Sequence, residues 1–161
     1  MSRDAENTLI LDLKSGPVVI ELKPDVAPGH VARIKELARK GFYDGVVFHR
    51  VIPGFMAQTG DPTGTGTGGS DLPDLRAEFS ATSHIRGTVS MARTSNPNSA
   101  NSQFFICFAD APWLDRQYSV WGQVVEGMDH VDAIKKGGDH NNGAISGEPD
   151  KILKAHIEAD G

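Results

Sequence analysis

The chain has 161 residues, 39% hydrophobic content and a formal net charge of −5, which suits one compact domain and gives no basis for a broad electrostatic grip on nucleic acid or an anionic membrane. A lone cysteine, Cys107, excludes an internal disulfide, and its place in the apolar run Phe104-Phe105-Ile106-Cys107-Phe108 reads as a buried, inert thiol. One domain over 1–161 is expected, with 1–7 as a flexible N-terminal stretch; no apolar stretch precedes Leu9, so neither a leader nor a membrane segment is read there and a cytoplasmic location is expected.

Eighteen glycines and nine prolines punctuate short apolar runs, a pattern of many strands joined by turns rather than of a helical bundle. Residues 8–13 and 18–22, separated by Lys14-Ser15-Gly16-Pro17, read as an opening hairpin. Over 29–40, Val31, Ile34, Leu37 and Ala38 recur at helical spacing, with Arg33, Lys35, Glu36, Arg39 and Lys40 on the other face; Pro28 starts this helix and Gly41 stops it. Strands follow at 46–51, 55–59, 87–91, 103–108 and 120–125, and a last one at 152–159. A shorter helix over 128–136 turns Val131 and Ile134 inward and ends at Gly137-Gly138, and Asp139-His140-Asn141-Asn142-Gly143 reads as a turn. Eight strands are too many for one flat sheet in a small domain. The expected fold is therefore mainly β, a closed eight-stranded antiparallel β-barrel capped by two α-helices.

Three segments stand out chemically. In Phe48-His49-Arg50-Val51-Ile52, strand alternation places Phe48, Arg50 and Ile52 on one face and His49 and Val51 on the other, so an arginine stands among bulky apolar side chains. From Ser90 to Ile106 a strand, a loop full of turn formers and an aromatic strand follow one another. Trp113-Leu114-Asp115, then Tyr118 and Trp121, bring both tryptophans close together, either as core or as a recognition surface.

FHRVIPGFMAQTGD, GTGG at 66–69, MARTSNPNSANSQFFIC and WLD resemble, in order and in separation, the signature segments of the cyclophilins, with the MARTSNPNSANSQFFI form similar to the bacterial branch. The resemblance implies a peptidyl-prolyl cis-trans isomerase, an enzyme that speeds rotation about X–Pro bonds and assists protein folding. It makes Arg50 the catalytic residue, with Phe55, Met56, Phe105 and Leu114 around the substrate's proline ring. It gives Gln58 and Gln103 polar contacts, sets the backbone of Ala92, Arg93 and Thr94 against an extended peptide, and puts Gly66 and Trp113 at the groove's border. Tyr118 stands where many eukaryotic members have a pocket histidine, and Arg93 where many have asparagine. The implied partners are proline-containing peptides and unfolded or folding protein clients, with cyclosporin as a ligand; no nucleic acid, membrane, cofactor or metal is implied, and nothing requires more than a monomer. A second reading from another class is a prolyl-peptide binding or holdase module with little turnover, kept in view by Tyr118 and Arg93.

Two further signals carry less. Gly64 to Gly69 fits G-x-G-x-x-G, but a dinucleotide site needs a buried strand before it and a helix after it, and 59–73 reads instead as a long surface loop. The six histidines show no zinc-site spacing, and His49, on the face opposite Arg50, reads as a structural hydrogen-bonding group.

Overall fold

The structure is a computed structural model and describes residues 4–138 and 143–160. The expected turn at 139–143 thus lies, except for Gly143, outside the described residues, as do residues 1–3 of the N-terminal stretch.

β1 (Thr8–Leu13) and β2 (Gly16–Leu22) form the opening hairpin, with Leu13 facing Gly16 across a turn at Lys14 and Ser15. α1 (Pro28–Arg39) follows, then β3 (Arg50–Ile52), β4 (Met56–Thr59), β5 (Thr88–Met91), β6 (Phe104–Cys107) and β7 (Val120–Glu126). α2 (Met128–Asp132) and β8 (Lys154–Ile157) complete the chain. All strand pairs are antiparallel, in one eight-stranded sheet of order β3-β4-β6-β5-β7-β2-β1-β8. Before β1, Ala5–Asn7 make a 3₁₀ turn whose Glu6 pairs with Lys35 at 3.1 Å and Arg39 at 2.9 Å.

The sheet does not close, which corrects the expected closed barrel. It is an open half-barrel whose edges, β3 and β8, share no ladder. Residues 143–152 cover the seam instead, through Phe48 N–H to Asp150 O at 2.8 Å, Val51 N–H to Gly143 O at 2.8 Å and Ile152 N–H to Val46 O at 2.9 Å. Gly143, Gly147 and Pro149 keep this segment from becoming a ninth strand, yet it satisfies backbone groups that a bare edge would leave to water.

Aromatic residues fill the interior edge to face: Tyr43 meets Phe104 at 5.4 Å and Phe104 meets Trp121 at 5.2 Å, both near 81°. Tyr43 Oη donates to Ser102 O at 2.8 Å, so its hydroxyl is satisfied within the core. Phe48 is fully buried in this main core and not beside Arg50, because regular pairing in β3 begins only at Arg50 and 46–49 is joined by a single bridge at Val47.

α1 buries Val31, Ile34, Leu37 and Ala38 as its periodicity predicts, but Arg33, expected on the solvent face, is buried too. Its guanidinium donates to Pro73 O at 2.5 Å and Asn101 O at 3.1 Å, tying the helix to two loops. No side chain of its own caps the helix; the Glu78 carboxylate, 48 residues away from His30, accepts from Gly29 N–H at 3.1 Å and His30 N–H at 2.8 Å. Glu78→Ala strands two helix-end donors and is expected to cost about 1–2 kcal/mol, read as a lower urea midpoint at unchanged m. α2 is one short stretch and not the nine residues expected, although Val131 and Ile134 do point inward.

Candidate active site

Sheet register lines the site up. Arg50 on β3 pairs with Gln58 on β4, Gln58 with Phe105 on β6, and Phe105 with Ser90 on β5. Directly opposed residues share a face, so these four side chains form one row on the outer face. A second row, Ile52, Met56 and Cys107, lies two residues along. Val51, Ala57, Ile106 and Val89 form the intervening row and point inward to the main core.

The outer rows bury a small second cluster, Met56, Phe105, Cys107, Ala111 and Leu114, with Ile52, Phe55, Ala92 and Tyr118 packed around it. Above it opens a cavity of 160 Å³ whose walls include Phe55, Met56, Phe105, Leu114 and Tyr118, with Arg50 and Gln58 at one side and Ala92 and Arg93 at another. Phe105 and Tyr118 meet edge to face at 5.6 Å. Trp113, in the 3₁₀ turn Pro112–Leu114, is 64% exposed yet rests on Phe55 at 5.7 Å, whereas Trp121 belongs wholly to the core. The tryptophan cluster seen in the sequence thus divides into one rim residue and one core residue.

Arg50 Nη1 donates to Gln58 Oε1 at 3.1 Å, and Gln58 Nε2 donates to Gln103 Oε1 at 2.9 Å. Gln103 Nε2 reaches Gly66 O at 3.0 Å and Gly68 O at 2.9 Å. Each amide in this relay has its orientation fixed by the next. Burial lowers the Arg50 pKa from its ordinary value, against the opposing influence of Tyr118; a guanidinium starts so high that it remains a cation.

The glycine loop at the end of the relay is built around Asp61, which is 0% exposed. Its carboxylate accepts from Thr63 N–H at 2.8 Å, Gly66 N–H at 2.6 Å and Gly68 N–H at 3.1 Å, and from the Thr63 hydroxyl at 2.7 Å. The N–H groups that a G-x-G-x-x-G loop would turn to a phosphate are therefore used by the chain's own carboxylate, and no helix follows the loop before β5. Gly60, at φ +98°, makes this possible: a Cβ there would meet Ser102 O. His49, which precedes β3, packs against Gly66 rather than being carried away from this side by alternation with Arg50, and burial lowers its pKa against the pull of Asp61.

A second cavity of 540 Å³ adjoins the first, sharing Gln58, Ala92 and Arg93 and adding Gly66, Thr94 and Gln103. Twelve of the thirteen residues singled out in the sequence thus line these two cavities, and Trp113 stands outside them against Phe55. The Arg93 guanidinium stands 4.6 Å over the Tyr118 ring and donates to Gln117 O through Nη2 at 2.6 Å. What the sequence reading missed lies behind these walls: Asp61, Ser90, His84 and Asp115. Among the described residues no group of three or more His, Cys, Asp or Glu could hold a metal ion, and no helix is long and apolar enough to cross a membrane.

The sequence profile of the family described as "Cyclophilin type peptidyl-prolyl cis-trans isomerase/CLD" matches residues 8–157, all eight strands and both helices. The chain belongs to the cyclophilin family. A "Probable peptidyl-prolyl cis-trans isomerase" of Brucella suis is 61% identical over 168 residues, covering 98% of this chain and 85% of its own. A "Peptidyl-prolyl cis-trans isomerase-like 1" of Aspergillus fumigatus is 42% identical over 74% of this chain and 76% of its own. Among solved structures, the cyclophilin AquaCyp293 from Hirschia baltica superposes with a TM-score of 0.88 at 32% identity, over 100% of this chain and 77% of that one. A Cryptosporidium parvum cyclophilin crystallised in the presence of the dipeptide Ala-Pro gives 0.85 at 29% identity, over 93% and 98%. As a cyclophilin the chain is a peptidyl-prolyl cis-trans isomerase.

Proposed function

We propose that the chain binds proline-containing segments of protein clients in extended form along its outer groove, holds the proline ring in the 160 Å³ cavity, and speeds cis/trans exchange through Arg50. Rotation about an X–Pro bond must break amide resonance, which leaves uncatalysed exchange at about tens to hundreds of seconds. No covalent bond is cleaved, so a useful catalyst binds the twisted amide better than either planar isomer. Twisting localises a lone pair on the prolyl nitrogen, and a fixed N–H donor aimed there favours the transition state selectively.

What supports this reading most is the register of β3, β4 and β6, which sets a guanidinium, oriented by Gln58, on the same sheet face as the apolar walls of one small cavity. In this reading the backbone of Ala92, Arg93 and Thr94 runs beside an extended peptide, and Gly66 and Trp113 border its path. The Cryptosporidium parvum relative crystallised in the presence of Ala-Pro supports a prolyl peptide as the class of ligand. Tyr118 keeps an aromatic wall, and Arg93 narrows the neighbouring subsite. The proposal extends to cyclosporin in this groove beside Trp113, and to a monomeric folding assistant of the cytoplasm, one domain over 1–161.

Exchange NMR on an Ala-Pro peptide tests the proposal. Cis and trans signals should interconvert fast enough to exchange magnetisation at catalytic amounts of protein, which uncatalysed peptide does not do. Peptide binding at the groove without accelerated exchange would leave only a holdase.

A further inference from the structure

Behind the pocket walls lies a polar chain, buried at His84 and Ser90 and part-exposed at Asp115, that none of these roles uses. His84 is 1% exposed. Its Nδ1 lies 3.1 Å from Asp115 Oδ1, its backbone N–H donates to the same oxygen at 2.7 Å, and its Nε2 lies 3.1 Å from Ser90 Oγ. A carboxylate only accepts, so Nδ1 carries the proton, and Nε2 then accepts the Ser90 hydroxyl hydrogen. Burial lowers the His84 pKa, with the bond and charge of Asp115 opposing it. The His84 backbone bond, foremost, holds the Asp115 carboxyl below the usual range.

The same ring touches both aromatic walls. It stacks on Phe105 at 6.2 Å and 16° between planes, and meets Tyr118 edge to face at 6.4 Å and 76°. Turning it would break the bonds to Asp115 Oδ1 and Ser90 Oγ together. The order Ser–His–Asp is that of a hydrolytic triad, but Ser90 is 0% exposed and lies directly beside Phe105 in the sheet, where no acyl group can reach its hydroxyl. Bracing is the use that remains.

We propose that His84, locked by Asp115 on one side and Ser90 on the other, is a positioning residue that fixes Phe105 and Tyr118 and so sets the shape of the proline pocket. This rests on the pocket reading given under Proposed function. The polar lock supplies what apolar packing alone does not, a single orientation of the supporting ring.

The test compares Asp115→Ala, Asp115→Asn and His84→Phe, with kcat and KM measured separately by exchange NMR on an Ala-Pro peptide. Asp115→Ala and His84→Phe should raise KM about fivefold with kcat within about twofold, the signature of lost uniform binding, because the Arg50 bond to Gln58 is untouched. Asp115→Asn retains an oxygen that accepts from both His84 donors and should keep KM within about twofold of the parent. Ring resonances of Phe105 and Tyr118 should broaden or split in Asp115→Ala and stay sharp in Asp115→Asn. Unchanged KM and ring signals in folded Asp115→Ala would overturn the proposal, as would a fall in kcat at constant KM, or labelling of Ser90 by a fluorophosphonate. Parent protein that binds the peptide without accelerating exchange would instead count against the isomerase mechanism; bracing is then read from the Kd of the Ala-Pro dipeptide, in the same order of variants.

Discussion

Arg50→Ala is expected to lower kcat/KM on an Ala-Pro peptide by about 10²- to 10³-fold, the effect of removing one preorganised donor from a transition state, with a thermal midpoint close to that of the parent. The amide barrier is roughly 18–20 kcal/mol, and the pocket by itself binds the proline ring about equally in both isomers and in between. In the mechanism proposed above only the donor discriminates the twisted nitrogen, so its loss should appear in kcat as well as in kcat/KM. Stability should hold because Arg50 is only partly buried and its backbone pairing with Gln58 and Ala144 does not depend on the side chain. Arg50→Lys should fall between the two, since a point charge replaces a planar fork that Gln58 holds in direction. Exchange NMR alongside calorimetry checks both statements; full kcat/KM in a folded Arg50→Ala would remove the arginine from the mechanism.

The second large effect is at Asp61. Asp61→Ala leaves the N–H groups of Thr63, Gly66 and Gly68 without their shared acceptor. With charge-assisted hydrogen bonds worth about 1.5–3 kcal/mol each, a loss of about 3 kcal/mol or more is expected, measured as a lower urea midpoint. Desolvation alone would raise this carboxyl, but the Thr63 hydroxyl and the N–H groups of Gly68, Thr63 and Gly66 outweigh it and hold the group well below the usual carboxylate range. A folded value below the unfolded value of about 3.9 means that the stabilisation is complete above about pH 4 and is lost as pH falls through the folded value. Asp61→Asn should therefore be less stable near neutral pH and show a shallower acid limb below about pH 4. The loss also reaches the site, because Gly66 O and Gly68 O orient Gln103, and Gln103 orients Gln58. An acid limb identical in the Asn variant would refute this account.

Much of this was legible because it is local. Strand positions, the turn at Ser15 and the inward face of α1 follow from alternation, helical period and turn residues, and the groove residues from motif segments that match a family along the chain. What failed was non-local. Alternation carried Phe48 to Arg50's side only if pairing ran unbroken from Val46, and a single bridge at Val47 does not enforce that. Arg33 is an ordinary helix-surface residue until two distant carbonyls converge on it. Closure of the barrel follows from the need to satisfy edges only where no irregular segment meets that need equally well. Asp61 opens a polar loop and His84 stands in Ser83-His84-Ile85 with no periodic neighbour, so only the fold shows one as the loop's centre and the other as a wall's support.

The row Arg50, Gln58, Phe105, Ser90 runs across strands rather than along one of them, and this bears on how the groove can fail. Parts of a protein that open separately are usually contiguous supersecondary units, but here donor, orienting amide, pocket wall and brace belong to β3, β4, β6 and β5, stitched to one another by the same ladders that hold the sheet. The edge hairpin β3–β4 nonetheless carries Arg50, Phe55, Met56 and Gln58, so opening of that one unit would dismantle the pocket while β5, β6 and β7 stay paired. The population of molecules with a formed groove is therefore set by the ladder between β4 and β6, and cannot exceed the population in which that ladder is intact.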